Sequence, residues 1–463
     1  MRCPPKITMA KAQSKKAIRV ERDPLGEKEI PSEALYGVQT ARARENFKIS
    51  RLRIHPLFYL AYAEIKRAAA EANLETGKLE AKKGRAIVKA ADELIAGKWA
   101  EQFDLDVFQA GAGTSYNMSL NEVIANRALE IVGSERGHHD EINPNDDVNK
   151  SQSTNDTMPT AMRITAVRLL RKACEALDAL VEAFEAKGKE FAKVKKSGRT
   201  HLHDAVPMTL GDEFAAYAVN VKGAVGRLRT HEASLLEVPL GGTAVGTGTN
   251  ADPNYAPLAI GNLSKLTGMK LKAAKNKVAS QSSLGDFVAL SASLRCLCVE
   301  LQKIANDLRL MNSGPHTALF EIELPAKQPG SSIMPGKVNP AMAEMMNMVC
   351  FHIAGLDNAI SSCGEAGQLE LNVMMPYVAH AVFESLEIMA NAAETFDKEC
   401  VREIKARPER MAHFMERSVG QAALLNEELG FMGAARVAMR AMEEERTIRE
   451  IAEEEGIPTN KLE

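Results

Sequence analysis

A mainly α fold built around a central bundle of long helices is predicted by three observations. Alanine, leucine, glutamate and lysine dominate, aromatic residues make up only 5% of the chain, and the stretches between Gly and Pro markers carry apolar residues at helical spacing. That spacing predicts amphipathic helices over 57–72 and 84–96, and a long one over 155–186 that opens on the capping residue Asn155. Equally long patterns cover 212–237, 284–311, 340–361 and 371–405. Such lengths exceed the globular average of about 11 residues, and several together predict a core of parallel and antiparallel rods. No stretch alternates long enough for a large sheet, and neither a fixed repeat nor a Ser/Gly-rich linker interrupts the chain.

At 463 residues the chain exceeds the size at which one core stops growing, so two or three domains are expected. Hydrophobic residues at 45% and charged residues at 26% fit a soluble globular protein. Net charge is −3, with both signs mixed along nearly every segment, which leaves no basic face for nucleic acid. No run of about eighteen apolar residues exists to span a membrane. Arg2, Lys6, Lys11, Lys15 and Lys16 make the start basic without the apolar core of a secretory signal. A disordered tail is expected over 1–18, with a basic organelle-targeting leader as the other reading. Cysteines 3, 174, 296, 298, 350, 363 and 400 are scattered and lack metal-ligand spacing, so they read as reduced core thiols.

Between the rods lie five polar or glycine-rich loop candidates, at 111–117, 143–156, 197–207, 241–253 and 328–340. Loops held on rigid helices are where chemistry concentrates. In the last of them Gly330, Ser331, Ser332, Gly336 and Lys337 lead into Asn339 and Pro340, a capping residue and a first-turn proline. A helix start beside a lysine favours a carboxylate, because free N–H groups, the helix dipole and the ammonium all attract an anion. The same residues also make an ordinary capped helix behind a Gly-Ser turn. Ser153, Thr154, Asn155 and Asp156, then Thr200 and His201, then Thr114 and Ser115 each read equally as caps or turns. His201 alone reads as an ordinary hydrogen-bonded histidine. No P-loop, dinucleotide fingerprint or nucleophile elbow is present. His138 and His139 read as solvated surface, and the glycines at 241–248 as a tight bend.

Taken together, Gly330-Ser331-Ser332-Ile333-Met334-Pro335-Gly336-Lys337-Val338-Asn339-Pro340 resembles, at eleven consecutive positions, the signature loop of the fumarase/aspartase superfamily. Residues 149–156, 198–201 and 111–115 resemble the family's other active-site segments, and the likeness runs from about Arg19 to Ala406. Residues 111–118, 204–207 and 367–374 resemble the ammonia-lyase branch, whereas 157–162 resembles class II fumarase. Two departures stand out: His316 and Ala318 replace the usual arginine and glycine, and Asn426 is not followed by proline.

The resemblance implies a fumarase/aspartase-type fold of three domains: a mostly helical one over 19–152, the bundle over 153–405 and a small helical one over 406–463. It implies a cytoplasmic homotetramer, sites shared between subunits, a small dicarboxylate substrate, and neither cofactor nor metal. The implied reaction is elimination of ammonia from L-aspartate to give fumarate through an aci-carboxylate, with class II fumarase and a non-catalytic structural member as alternatives. By the same resemblance Ser331 is the base. Thr200, Lys337 and Asn339 would bind the α-carboxylate, while Thr114, Ser153, Thr154 and Ser332 would hold the β-carboxylate. Asn155 and His201 would meet the amino group, His201 thereby belonging to the catalytic set.

Overall fold

The structure is a computed structural model that describes residues 17–462. The tail expected over 1–18 therefore lies outside the described residues except at its end, where Ile18 pairs with Pro31. In chain order the first helices are α1 (Val38–Asn46), α2 (Pro56–Glu75), α3 (Ala81–Ile95), α4 (Thr114–Val132), α5 (Thr154–Glu190), α6 (Leu210–Thr230), α7 (Glu232–Leu235) and α8 (Tyr255–Thr267). They are followed by α9 (Lys277–Ser282), α10 (Gly285–Met311), α11 (Ala341–Glu365), α12 (Met375–Glu399), α13 (Pro408–Arg417), α14 (Asn426–Glu443) and α15 (Ile448–Glu454). The strands β1 (Ile18–Asp23) with β2 (Gly26–Pro31) and β3 (Lys195–Thr200) with β4 (His203–Thr209) form antiparallel ribbons. Two-residue pairings join β5 (Glu237–Val238) to β6 (Lys272–Ala273) and β7 (Ile322–Glu323) to β8 (Lys405–Ala406).

The fold is thus mainly α, and its rods are long: α5 has 37 residues, which at about 1.5 Å per residue makes it roughly 55 Å. Helices α10, α11 and α12 have 27, 25 and 25 residues. By Cα proximity the described chain divides into two compact units. One takes residues up to Arg168, Glu232–Val288 and Ala359–Glu384, and the other takes Leu169–His231, Ala289–Asn358 and the residues from Ser385 onward.

In the first unit α2 is the buried rod. Pro56 occupies its first turn and the His55 imidazole accepts from Leu57 N, so the start is capped from its own sequence. Buried alanines at 61, 63, 68, 69, 70 and 72, with Phe58, Tyr62 and Ile65, put most of α2 in the core, while Arg67 and Glu71 keep a polar edge. Phe58 stands at the centre of an aromatic cluster, its ring edge-on to Tyr62 at 5.3 Å and to Tyr116 at 5.4 Å. Losing such a ring costs about 3–5 kcal/mol. In the second unit, Thr209 and Asp212 close a capping box at the start of α6. Phe191 and Tyr217 pack edge-on against Phe214. Leu425, Val437, Ile448 and Ile451 form a small core of their own under α14 and α15.

Several sequence expectations need correction. The helix expected over 212–237 stops at Thr230, because Leu235 and Val238 belong to a separate turn and strand that bury them independently. That expected over 371–405 starts at Met375, since Asn372 accepts from Met374 N and holds the chain in a turn. Residues 197–207 are a twisted ribbon rather than a loop. Its turn, His201-Leu202, has left-handed φ at both residues, 55° and 61°, the backbone a two-residue hairpin needs but without the Asn-Gly pair that advertises it. His139 is half-buried rather than solvated, and burial lowers its pKa. Of the described cysteines Cys296 is exposed, not core, and none forms a disulfide.

Candidate active site

The candidate residues fall into two groups, one in each unit. In the first unit the starts of α4 and α5 come together. Ala112 and Gly113 take left-handed φ of 60° and 81° before α4 begins at Thr114. Ala112 N donates to Val373 O at 2.8 Å, and Gly111 lies so close to Val373 that a Cβ there would sit 2.9 Å from the valine's own. Ser153 caps α5: its hydroxyl accepts from Asn155 N at 3.2 Å, while its own N donates to Asp156 Oδ1 at 3.0 Å. The other Asp156 oxygen accepts from Gly241 N and Thr243 N, both at 3.0 Å. Burial pushes this carboxyl up to about 6 against those donors. The glycines at 241–248 therefore let a loop bend onto the start of α5, with Gly241, Gly246 and Gly248 all at positive φ. Asn155 Nδ2 donates to Ala244 O at 2.8 Å, which orients the amide and leaves Oδ1 and the second N–H available.

A buried polar network lies beneath these residues, and its hub, Lys66, was not singled out in the sequence. Lys66, fully buried on α2, donates to Asn117 Oδ1 at 2.7 Å, Asn149 Oδ1 at 2.9 Å and Gln152 Oε1 at 3.0 Å. Asn117 Nδ2 in turn donates to Thr154 Oγ1 at 2.9 Å, tying α4 to α5. Burial pushes Lys66 down to about 7, against the pull of the Asp156 carboxylate. Three acceptors at Nζ call for three N–H bonds, which only the ammonium supplies. The available signal was a lysine beside the run of alanines at 68–70 in α2.

The second unit carries Thr200 and His201 at the tip of the β3–β4 ribbon, and Ser331, Ser332, Lys337 and Asn339 in the 328–340 loop. The ribbon's base is fixed by charge: Lys196 lies 2.7 Å from Glu213 and 3.0 Å from Glu321, and Arg199 donates to Glu321 at 2.7 Å. The 328–340 loop is pinched at its neck, where Gly330 N donates to Lys337 O at 2.7 Å and Asn339 Nδ2 donates to Gly330 O at 2.9 Å. Asn339 thus gives one N–H of its amide to the neck and keeps the other, and α11 starts at Ala341. Within the loop the Ser331 hydroxyl accepts from Ile333 N at 3.2 Å and Met334 N at 3.0 Å. Donors aimed at a hydroxyl oxygen favour its ionised form. Among the described residues, no hydrogen bond joins the ribbon tip to this loop, and both are exposed. Nor does any cluster of three His, Cys, Asp or Glu among the described residues have the arrangement of a metal site.

Long helical rods that end in Ser-, Asn- and Gly-rich loops, with a lysine beside a helix start, define an enzyme of the fumarase/aspartase fold. Residues 26–355 match the lyase family, and the chain belongs to that family. It is 47% identical over 444 residues to aspartate ammonia-lyase from Bacillus sp, covering 96% of this chain and 95% of that one. Its structure is similar to that of fumarate lyase:delta crystallin from Brucella melitensis bound to cobalt, with a TM-score of 0.93 and 46% identity over 96% of this chain and 97% of that one. Class II fumarase from Schistosoma mansoni superposes with a TM-score of 0.91 at 34% identity, covering 96% of each chain.

Proposed function

We propose that this lyase eliminates ammonia from L-aspartate to give fumarate. The observation that carries the reading is the Ser331 hydroxyl, held by two backbone N–H donors in a chain 47% identical to an aspartate ammonia-lyase. A Cβ proton is weakly acidic, and its removal leaves an aci-carboxylate with two negative charges. The site must therefore supply an activated base and a place for that charge. Ser331 is the base. The hydroxyls of Thr114, Ser153, Thr154 and Ser332, with the dipole at the start of α5, receive the β-carboxylate. Thr200, Lys337 and Asn339 bind the α-carboxylate, and Asn155 Oδ1 and His201 meet the ammonium. Closure of the loop on its Gly330 neck excludes water and brings Ser331 into range.

The active form is a cytoplasmic homotetramer whose sites draw on three subunits. Apolar side chains left in the open support this: Leu202 is 77% exposed at the ribbon tip, Ile333 83% in the Ser331 loop and Leu369 89% before α12. Val219, Val299, Met348 and Phe351 stand exposed on the bundle helices α6, α10 and α11. Exposed apolar side chains mark contacts between chains where they gather into one patch, and the mass of the protein in solution tests whether these do. Among the described residues no helix is long and apolar enough to cross a membrane.

Fumarate absorbance followed with L-aspartate, L-malate and other succinyl compounds offered separately tests the substrate. Sharing of sites has its own test. Ser331→Ala and His201→Ala, each inactive alone, are expected to regain partial activity after subunit exchange. Silence from proven hybrid tetramers would count against shared sites.

A further inference from the structure

We propose that Lys66 is a positioning residue that sets the direction of the Thr154 hydroxyl proton, acting through Asn117. The inference rests on the reading above, in which Thr154 receives a substrate carboxylate.

An ammonium donates three hydrogen bonds and accepts none. Each side-chain amide facing Lys66 Nζ must therefore present its oxygen, which fixes Asn117, Asn149 and Gln152 whatever their intrinsic preference. For Asn117 the consequence reaches the site. With Oδ1 held by Lys66, Nδ2 faces Thr154 Oγ1 at 2.9 Å and Asn149 Oδ1 at 3.2 Å. An amide nitrogen only donates, so the Thr154 oxygen is the acceptor in that bond and its single O–H is directed elsewhere. Among the described residues the Thr154 hydroxyl accepts from Asn117 and donates no hydrogen bond.

A hydroxyl with its proton free is a donor, the polarity a carboxylate needs. Were the amide reversed, Thr154 would donate to Asn117 and meet the carboxylate with lone pairs. Lys66 is suited to fixing the direction because burial holds it rigidly and no carboxylate bonds its Nζ, so its three N–H groups are spent on the three amides. Asp156, at the same end of α5, is occupied by the backbone N–H groups of Ser153, Gly241 and Thr243.

The test is a double-mutant cycle on the full-length protein, read as the Kd for succinate, a dicarboxylate with no leaving group. Its outcome does not depend on whether ammonia or water is the natural product. Asn117→Asp keeps the shape and the bond to Lys66 but removes the N–H, so Thr154 turns its proton onto the new carboxylate. Asn117→Asp and Thr154→Val are each expected to weaken succinate about tenfold, and the pair together also about tenfold, because the second change removes a donor already turned away. Losses that multiply toward about a hundredfold would overturn the relay, as would an unchanged Kd in Thr154→Val. The Tm of Asn117→Asp is expected to hold or rise through its ion pair with Lys66; a fall in Tm that tracks the lost affinity would leave Lys66 and Asn117 a merely structural role. Lys66→Met is expected to weaken succinate about tenfold as well, and unchanged binding in that variant would overturn the proposal; if it fails to fold, the cycle decides.

Discussion

Ser331→Ala is expected to fold and assemble normally and to lose about 10²–10⁴ in kcat, the range a positioned general base contributes. The fold survives because the side chain's own bonds are local. Ile333 N and Met334 N turn to water when the hydroxyl is removed, while the neck bonds from Gly330 and Asn339 are untouched. Turnover fails because a methyl group takes no proton. Fumarate release by the purified variant, alongside its mass in solution, checks both halves. Activity within about tenfold of the natural protein, equivalent to ~1.4 kcal/mol of barrier, would remove Ser331 from the role of base.

L-Aspartate is expected to be turned over with a kcat/KM at least about a hundredfold above that of L-malate, a gap of roughly 2.7 kcal/mol. The two substrates share both carboxylates and the carbanion-like intermediate, so the choice is made where the leaving group sits. Asn155 contributes to that choice: Ala244 O takes one N–H of its amide, which orients the group and leaves Oδ1 open to a donor. An ammonium fills that acceptor with a charge-assisted bond, whereas a hydroxyl brings no charge. Buried polar groups matched to one partner reject the analogue by factors that reach about 10⁴. Faster turnover of malate would replace the ammonia-lyase reading with the hydratase one, which the fumarase-like segment 157–162 and the likeness to a class II fumarase already keep in view.

The rods were legible because their cause is local. Apolar spacing over 284–311 and 340–361 runs as α10 and α11 with ends within a few residues, since a helix satisfies its backbone from its own segment. The β3–β4 ribbon was not, because His201 and Leu202 adopt left-handed backbone without the residues that favour it. The 328–340 loop was legible as composition: glycines, serines and a lysine before a helix. What the sequence could not convey is which partners each group meets. Nothing in the sequence distinguishes Lys66 from its charged neighbours Glu64, Arg67 and Glu71, whereas in the fold it is buried and Asn117, Asn149 and Gln152 converge on it from two separate segments. Burial and convergence are properties of the tertiary fold, so Lys66, the hub of the network, was left unseen, while Asn117, Asn149 and Gln152 lay in segments already marked by composition and resemblance.

The ribbon tip carries a lesson for anyone engineering this enzyme for heat tolerance. A stabilisation scheme scoring turns by backbone preference would replace His201-Leu202 with Asn-Gly, since both positions have positive φ and that pair suits them best. The ribbon would tighten, and His201, the side chain proposed to meet the leaving group, would be gone. With His201 in its proposed role, durability and chemistry make opposite demands on that one residue, so thermal screens of this scaffold are best run with turnover measured beside melting at every round.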